Sequence, residues 1–237
     1  MKSLLLLLLP LVLGKSTWPS ETFCYTEPDL GGSYDYFAGN EWDLSQTYVD
    51  NDIESVNQTG MWIYYENYNF NGDEPGLVYF GHGIDIVANF PGKFANRASS
   101  LSSAGSYARL NADTITLYEG TSFTGKLLSI EYYPDQPSLY DVAGKVSSFI
   151  VVGTSPWTIY TGEDYTGNYW CVYATERDTS SDGRVLDVGM FPSIEEAGIP
   201  DNSIQSVRKG CWGKRVAKAP ELKVDGRQKN GAWGRLE

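Results

Sequence analysis

Hydrophobic residues along the chain fall into short runs separated by glycine, serine, asparagine and aspartate. Residues 60–65 read Gly-Met-Trp-Ile-Tyr-Tyr and residues 114–118 read Thr-Ile-Thr-Leu-Tyr. Runs of β-branched and aromatic residues bounded by turn residues are typical of β-strands. No long stretch repeats its apolar residues with the period of a helix. The pattern therefore predicts an all-β chain.

Four segments of the chain share one spacing, in which an aromatic residue is followed by a second bulky residue at the fifth position and by glycine at the seventh. The copies are Tyr25…Leu30…Gly32, Tyr65…Phe70…Gly72, Tyr118…Phe123…Gly125 and Tyr160…Tyr165…Gly167. Self-similarity at intervals of roughly 40 to 50 residues marks a repeated supersecondary unit. The constant glycine predicts a turn with positive φ, and the bulky pair is expected to pack over a folded-back hairpin.

A second signal, rich in Asp, Asn and Ser, follows each copy. The stretches are Asp-Asn-Asp-Ile-Glu-Ser at 50–55, Ala-Asn-Arg-Ala-Ser-Ser at 95–100, Ala-Gly-Lys-Val-Ser-Ser at 143–148 and Asp-Asn-Ser-Ile-Gln-Ser at 201–206. With both signals in register, the chain resembles the βγ-crystallin family. That family's motif joins the aromatic and glycine spacing to a later Asn/Asp-Asn/Asp-x-x-Ser/Thr-Ser stretch. The resemblance covers roughly residues 22–212.

The resemblance implies an all-β fold of two βγ-crystallin-like Greek-key β-sandwich domains. Motifs 1 and 2 would form the first domain at residues 21–107, and motifs 3 and 4 the second at residues 113–212. A chain of 237 residues is long enough for each domain to bury its own core.

The N-terminus predicts export from the cell. Lys2 is followed by an apolar run from Leu4 to Leu13, which has the length of a signal-peptide core and is too short to span a bilayer. We assign residues 1–16 to a signal peptide. No later apolar stretch approaches membrane-spanning length, so the predicted location is secreted and extracellular, without a membrane span.

Secretion changes how the cysteines and the glycosylation sequon are interpreted. Three cysteines permit one intramolecular disulfide, either Cys171 with Cys211 or Cys24 with Cys211. The remaining cysteine would then join a partner chain or be buried. Asn57-Gln58-Thr59 is the only Asn-x-Ser/Thr match in the sequence. It predicts N-glycosylation, in a connection that should reach the surface.

Charge is distributed unevenly along the sequence. Residues 15–212 carry 27 acidic and 10 basic side chains, whereas residues 213–237 carry three acidic and seven basic ones. The acidic body argues against nucleic acid and anionic membranes as partners and favours cations. The basic stretch 213–237 is predicted to be a flexible, solvated tail. The alternatives are that it folds back on the body or contacts anionic glycans.

Calcium binding is the chemistry that the resemblance implies most directly. Each site would combine the Asp/Asn stretch of one motif with the fifth-position serine of its partner motif. Motif 1 has the leading acids but Glu54 in the fifth place, and motif 4 has them but Gln205; motifs 2 and 3 have lost the acids but keep Ser99 and Ser147. Complementation across motifs therefore predicts one site in each domain, or about two Ca²⁺ ions per chain.

The predicted ligands are oxygen atoms, which Ca²⁺ prefers. In the first domain they come from Asp50, Asn51, the carbonyl of Asp52, Ser99 and the carbonyl of Glu66. In the second domain they come from Asp201, Asn202, the carbonyl of Ser203, Ser147 and the carbonyl of Glu119. In the alternative interpretation, these Asp and Asn residues only cap turns through their own side chains.

The sequence offers little support for catalysis, and we predict that the protein is not an enzyme. His82 is the only histidine, so no multi-histidine zinc site can be built. There is no G-x-S-x-G elbow and no phosphate-binding P-loop motif. Two non-enzymatic functions remain: a calcium-stabilised structural protein of an extracellular layer, and a recognition module that binds glycans or a partner protein in a secreted defence complex.

Overall fold

A computed structural model describes residues 18–236, and nearly all of its regular structure is β. The predicted signal peptide lies outside the described residues. In the first half of the chain the strands are β1 (Glu21–Glu27), β2 (Gly31–Phe37), β3 (Ser55–Tyr65), β4 (Val78–Asn89) and β5 (Ser100–Ala104). In the second half they are β6 (Thr114–Tyr118), β7 (Leu127–Ile130), β8 (Ser148–Val152), β9 (Trp157–Tyr160), β10 (Tyr169–Val172), β11 (Glu176–Thr179), β12 (Val185–Phe191) and β13 (Ser206–Lys209).

The remaining elements are short. Two further strands, β14 (Asp225–Gln228) and β15 (Gly231–Arg235), follow near the end of the chain. A single helical turn, α1, spans Tyr68–Asn71, and 3-10 turns lie at Pro28–Leu30, Thr121–Phe123, Tyr140–Val142 and Glu163–Tyr165. No helix among residues 18–236 is long and apolar enough to cross a membrane. The prediction of an all-β fold is confirmed.

The strands of the first half belong to one bent sheet, with the order β14-β15-β4-β3-β1-β2 and with β5 also paired to β3. The two longest strands, β3 and β4, pair along most of their length, with a register shift between Gln58 and Gly60. One end of β3 pairs with β1 and the other end with β5. The long strands thus connect two packed layers across the bend.

The second half holds two sheets, and residues of both motifs contribute to each sheet. One sheet has the order β11-β12-β8-β6-β7 and the other β10-β9-β13. Strands β11 and β12 of motif 4 extend the sheet of motif 3, and an isolated bridge joins Gln136 of motif 3 to Val207 in β13. This exchange between motifs is the Greek-key arrangement.

Three apolar clusters hold the molecule together. One lies inside the first half around Trp62, Tyr64 and Leu101, and one inside the second half around Trp157, Phe149 and Phe191. The third joins the halves, and its buried members include Met61, Phe80, Phe123, Ile150, Val188 and Trp233. Because the third cluster draws on both halves, they pack against each other as well as within themselves.

An ion cluster crosses the same interface. His82 in β4 contacts Glu176 in β11, with 3.0 Å between Nε2 and Oε2, and Arg235 in β15 pairs with the same carboxylate. Partial burial acts to raise the pKa of Glu176. Hydrogen bonds from His82 and Arg235 outweigh that effect, so the pKa lies below its ordinary value.

The four aromatic-glycine segments form hairpins that fold back over the sheets. Their bulky residues adopt left-handed backbone conformations: Leu30 (φ 63°), Phe70 (58°), Phe123 (64°) and Tyr165 (61°). Three of these rings pack against the aromatic residue that opens their segment, with centroid separations of 5.5 Å, 5.7 Å and 5.8 Å. In these three segments the bulky pairs pack together as predicted.

The constant glycine has two different roles. Gly32, Gly125 and Gly167 have φ of 74°, 77° and 78°, which confirms the predicted left-handed turn. The prediction is wrong for Gly72, whose φ is −73°, because Asn71 takes the left-handed position in that hairpin at 56°. A Cβ on Gly72 would lie 2.9 Å from the carbonyl oxygen of Asn69 in the same hairpin and 3.3 Å from the Cα of Gly125 in the next, so close backbone approach explains this glycine.

The structure contradicts the prediction of a flexible basic tail at residues 213–237. Strands β14 and β15 form a hairpin, and β15 pairs in parallel with β4, Trp233 lying opposite Val78. Trp233 is buried in the interface cluster, where its ring stacks on Phe80, and Leu236 is buried in the core of the first half. The prediction was based on charge and overlooked these two apolar side chains. The segment instead folds back on the body, as the first of the two alternative interpretations predicts.

The structure chooses between the two disulfide pairings. Cys171 in β10 is bonded to Cys211, just after β13, and their Cα atoms are 5.3 Å apart. Cys24 in β1 is a free thiol in the core of the first half, where burial raises its pKa. The disulfide therefore links β10 to the segment just after β13, and β10 and β13 are the two outer strands of the small sheet in the second half.

The glycosylation sequon lies in a strand, not in the predicted surface connection. Asn57 is the third residue of β3 and pairs with Phe23 of β1 on one side and Val87 of β4 on the other. The prediction placed it in a loop because it closely follows an Asp/Asn stretch, but β3 already begins at Ser55.

Candidate metal sites

In the first half, the Asp/Asn/Ser stretches of motifs 1 and 2 are tied together by reciprocal backbone hydrogen bonds. Asn51 donates its N–H to the carbonyl of Ala98, and Asn96 donates to that of Ile53, both at 2.9 Å. The first bond brings the acidic stretch beside Ser99, which is buried. The Asp/Asn stretch of motif 1 and the serine of motif 2 are therefore neighbours.

The second half repeats the arrangement with the order of the motifs exchanged. Asn202 donates its N–H to the carbonyl of Val146 at 3.1 Å, and Gly144 donates to that of Ile204 at 2.7 Å. Ser147 lies next to Val146, and its hydroxyl is 3.5 Å from Oδ1 of Asn202. The acidic stretch of motif 4 thus meets the serine of motif 3.

The backbone turns in the same way at the second position of all four stretches. The φ values are 54° at Asn51, 58° at Asn96, 68° at Gly144 and 56° at Asn202. Asparagine and glycine tolerate this left-handed conformation better than other residues. The residue types at this position are therefore explained by turn geometry, whether or not a metal binds.

The leading aspartates carry the clearest sign of a missing partner. Oδ1 of Asp50 and Oδ1 of Asp201 are both buried, and neither has a hydrogen-bond partner among residues 18–236. The other oxygen of Asp201 accepts a bond from the side-chain amide of Asn202 at 3.1 Å. A buried carboxylate oxygen without a partner is unfavourable unless a proton donor or a cation approaches it.

Backbone geometry locates the remaining predicted ligands relative to the two stretches and to the serines. Asp52 and Ser203 follow the left-handed residue directly, and the hydroxyl of Ser203 is engaged with the carbonyl of Pro200 at 2.6 Å. The backbone of Ser99 donates to Tyr65, and that of Ser147 to Tyr118, at 2.8 Å and 3.0 Å. These bonds bring the peptide groups just before Glu66 and Glu119 against the two serines.

A basic residue accompanies each of these glutamates, and sequence reasoning missed it. Arg97 contacts the carboxylate of Glu66 at 3.1 Å, and Lys145 contacts that of Glu119 at 3.7 Å. Arg97 and Lys145 occupy the same third position in the stretches of motifs 2 and 3. That shared position was the available signal. The two cations offset acidic charge next to both candidate sites.

The other possible pairing in the first half combines the stretch of motif 2 with the fifth position of motif 1, and it is occupied by protein groups. The side-chain amide of Asn96 donates to Oε1 of Glu54 at 2.6 Å, where the resemblance would otherwise pair an acidic stretch with a fifth-position serine. In the second half the corresponding residues are Gly144 and Gln205, which bring no carboxylate. Each half therefore has only one pairing of stretches in which an aspartate leads.

The sixth-place serines have a structural role. Ser55, Ser100, Ser148 and Ser206 each donate to a backbone carbonyl at 2.6 Å at the start of a hairpin, and each accepts the N–H of a bulky hairpin residue at 3.0 to 3.1 Å. They fasten the folded hairpins to the sheets. Their hydroxyls are thus engaged away from the candidate sites.

The donor set limits what metal these positions can hold. Within residues 18–236, no three His, Cys, Asp or Glu side chains gather around one point. The available oxygens are one carboxylate, amide and hydroxyl side chains, backbone carbonyls and water. This set fits a hard, flexible cation such as Ca²⁺ and does not fit zinc, which prefers nitrogen and sulfur ligands.

A cleft between the halves is a second candidate site. It has a volume of about 910 Å³ and lies between the connection from β5 to β6 and the loop that follows β7. Four of its lining residues are exposed tyrosines: Tyr107, Tyr132, Tyr133 and Tyr140. Aromatic side chains with a polar tip are frequent where proteins bind partners or sugars.

Comparison with known proteins identifies relatives of this architecture. Residues 114–209 match the sequence model of a family described as Beta/Gamma crystallin. The structure of Geodin, a beta-gamma crystallin from Geodia cydonium, is 19% identical over 81% of this chain and 99% of that chain, with a TM-score of 0.55. At this identity the likeness is evidence for the Greek-key fold alone.

Shorter relatives match about two fifths of the chain. A betagamma-crystallin from an archaeon is 34% identical over 42% of this chain and 99% of its own length, with a TM-score of 0.32. A beta gamma crystallin from Ciona intestinalis is 24% identical over 40% of this chain and 98% of its own, with a TM-score of 0.31. None of the curated proteins matches the chain.

Proposed function

The chain belongs to the βγ-crystallin family, and from that premise we propose that it is a secreted protein that binds one Ca²⁺ ion in each half and has a structural or protective role in an extracellular layer. The observation that carries this proposal is the pair of buried, unpartnered oxygens on Asp50 and Asp201. The two atoms occur at the same place in two motifs that differ in most other residues. A bound cation would satisfy both.

The donor chemistry supports calcium of moderate affinity. In each half, an aspartate, an asparagine, a serine and backbone carbonyls belong to stretches that neighbour each other. Ca²⁺ accepts such mixed oxygen sets, and its affinity falls as the number of carboxylates falls. One aspartate per site suits the roughly millimolar free calcium outside cells better than the much lower concentration inside them.

Secretion is supported by two features and is compatible with a third. The apolar run between Leu4 and Leu13 has the composition of a signal peptide. The disulfide between Cys171 and Cys211 is of the kind that persists in oxidising compartments. The sequon at Asn57 is used only by chains that enter the secretory pathway.

A structural role is supported by the way the molecule is held together. Two internal cores, a shared third core, a disulfide and a docked terminal hairpin leave few parts of the described chain unsupported. Calcium bound between paired motifs would add to this. With a dissociation constant of ~10–100 μM, 1 mM calcium would stabilise a site by roughly 1.4–2.7 kcal/mol through mass action.

Calorimetric titration of the chelator-treated protein with calcium tests the proposal. We expect about two ions per chain, falling to one in Ser99→Arg or in Ser147→Arg and to none in the double variant, because each arginine puts a cation into a site. Ser181→Arg, which adds the same charge at an exposed turn, is the matched control and should still bind two.

Two results would contradict the calcium proposal. One is an equal Tm in excess chelator and in millimolar calcium. The other is two ions still bound in the folded double variant, which would leave the fold intact but show that the ligands are wrongly assigned.

The tyrosine-lined cleft favours a second function, the recognition of a glycan or a partner protein. Binding to a glycan array that disappears in Tyr132→Ala/Tyr133→Ala, with calcium stoichiometry unchanged, would support recognition. Calcium-dependent stability without any ligand would support the structural role.

A further inference from the structure

One face of the first half exposes a group of aromatic side chains. Phe23 on β1 and Tyr34 and Tyr36 on β2 point outward, and Tyr34 and Tyr36 are 55% and 48% exposed. The ring of Phe23 lies 4.9 Å from that of Tyr36 and 6.0 Å from that of Tyr34, measured between centroids. Contiguous exposed apolar surface of this kind usually marks a binding site or a covered surface.

The sequon asparagine lies within this face. In the strand order β4-β3-β1-β2, Phe23 is the cross-strand partner of Asn57 on one side and of Tyr36 on the other. The residues on either side of Asn57 in β3, Val56 and Gln58, are buried and therefore point to the opposite side of the sheet. Asn57 is partly exposed and points outward, beside Phe23.

We infer that Asn57 carries an N-linked glycan whose first N-acetylglucosamine packs its apolar face on Phe23 and Tyr36. Directly opposed residues in antiparallel strands have Cβ atoms ~5 Å apart, which puts the first sugar within reach of the adjacent ring. The C–H face of a sugar ring is complementary to the negative face of an aromatic ring. The glycan would then cover the aromatic face and order itself on it.

The attachment is the ordinary transfer of the secretory pathway. A bond forms between Nδ2 of Asn57 and C1 of the sugar, while the bond between C1 and the diphosphate of a lipid-linked oligosaccharide breaks. The amide loses one proton and the lipid diphosphate leaves. In the folded chain Thr59 is buried and its hydroxyl donates to Asp85 at 3.0 Å. Transfer must therefore precede the folding of β3, as it does when sequons are modified during synthesis.

This inference depends on the secretion included in the proposed function, and three forms of the protein test it. The chain is expressed in secretory cells that leave its glycan in the oligomannose form. Endoglycosidase H then leaves one sugar on the asparagine, and peptide N-glycosidase F removes all sugars and leaves aspartate. Asn57→Asp, secreted without a glycan, controls for that change. We expect equal Tm values for the full and one-sugar forms, and a Tm lower by ~2–4 °C for the sugar-free forms.

Variants of the aromatic face identify the contact. Tyr36→Ser should reduce the Tm difference between one sugar and none to under ~1 °C, since it removes half of the platform. Tyr48→Ser, at another exposed tyrosine of the same half, should leave the difference unchanged. If Tyr36→Ser does not fold, the acetyl and ring protons of the single sugar in the unmutated protein provide the readout, because stacking on aromatic rings shifts their NMR signals upfield.

The outcomes separate this inference from the proposed function. A chain retained inside the cells overturns both. A secreted chain whose Asn57 is unmodified in peptide mass spectra overturns only the inference, as does a glycosylated chain with equal Tm in all three forms and unshifted sugar protons. A partner protein captured through Tyr34 and Tyr36 in the fully glycosylated form would likewise show that the face is not covered by the glycan.

Discussion

At the scale of single residues, the candidate sites combine two demands on the same short stretch. The second residue must turn into a left-handed conformation, and the first must present a carboxylate to the partner motif. Asp50-Asn51 and Asp201-Asn202 meet both, whereas Ala95-Asn96 and Ala143-Gly144 meet only the first. The structure thus preserves four turns but only two candidate metal positions.

The cations beside the sites lead to a prediction about affinity. Arg97→Gln removes the positive charge that contacts Glu66, so the first site should bind Ca²⁺ about two- to fivefold more tightly, as expected for a divalent ion several ångströms from a lost surface charge. Lys145→Gln should do the same for the second site. Titration at low and at physiological ionic strength measures the change.

The matched control for these two variants is Arg109→Gln, which breaks a surface ion pair with Glu131, outside both Asp/Asn stretches. Its calcium affinity should equal that of the unmutated chain. A loss of affinity in Arg97→Gln would show that the arginine positions Glu66 as a ligand group instead of opposing the ion.

Much of each candidate site could be predicted from the sequence, because the Asp/Asn stretches keep a fixed distance from the aromatic-glycine segments. The predicted pairing of Asp50 with Ser99 and of Asp201 with Ser147 follows from that register and stays a prediction. The burial of one oxygen on each aspartate could not be predicted, since it depends on how the partner motif packs above it. The pairing of Arg97 with Glu66 was missed because the two residues are 31 positions apart.

At the scale of elements, the four hairpins are similar in sequence but not equivalent in packing. The hairpins of motifs 2 and 3 meet at the boundary between the halves, where the N–H of Gly125 donates to the carbonyl of Phe70 at 2.8 Å. Gly72 is needed there because a Cβ would be too close to the carbonyl of Asn69 and would crowd Gly125, whereas the other three glycines are needed for positive φ. A spacing rule read along one chain cannot distinguish these reasons, because only the packed structure brings hairpins 2 and 3 together.

The terminal hairpin of β14 and β15 yields the second prediction. Trp233→Ala should lower the free energy of unfolding by about 3 kcal/mol, because it removes a large ring buried against Phe80 in the interface core. Val224→Ala, at an exposed position just before the hairpin, should change it by less than about 0.5 kcal/mol. Denaturant unfolding measures both. Equal effects from the two variants would show that the hairpin does not dock in solution.

At the scale of the whole molecule, the two halves are coupled by apolar contacts, by hydrogen bonds and by charge. Tyr65 donates its hydroxyl proton to the carbonyl of Phe123 at 2.6 Å across the boundary, and Asn230 of the terminal hairpin accepts from Thr121 of the second half. Interfaces this apolar restrict the relative motion of domains. The sequence predicted two units but gave no sign of how firmly they are joined.

The ion cluster at this boundary predicts a dependence on pH. The pKa of Glu176 is lowered in the folded state, so its stabilising effect is present above the ordinary carboxyl pKa and is lost as the pH falls through the folded-state value. The unmutated chain should therefore have a higher Tm than Glu176→Gln at pH 6, by about 1–3 °C, and the difference should narrow by pH 3.

Thermal melts of both proteins across this pH range provide the measurement. Glu195→Gln, at an exposed turn, should show no difference that depends on pH. A difference for Glu176→Gln that stays constant down to pH 3 would indicate that the carboxylate contributes through packing and not through its charge.

The docking of β15 on β4 also has a consequence for the order in which the protein is made. Residues 78–80 of β4 leave the ribosome long before residues 233–235, with which they pair. During that interval, β4 has an open edge of unpaired backbone groups next to an uncovered Phe80, the kind of surface that invites pairing with other chains. The first half is thus synthesised first but completed late, and nascent chains are most prone to associate before residues 231–235 have emerged and docked.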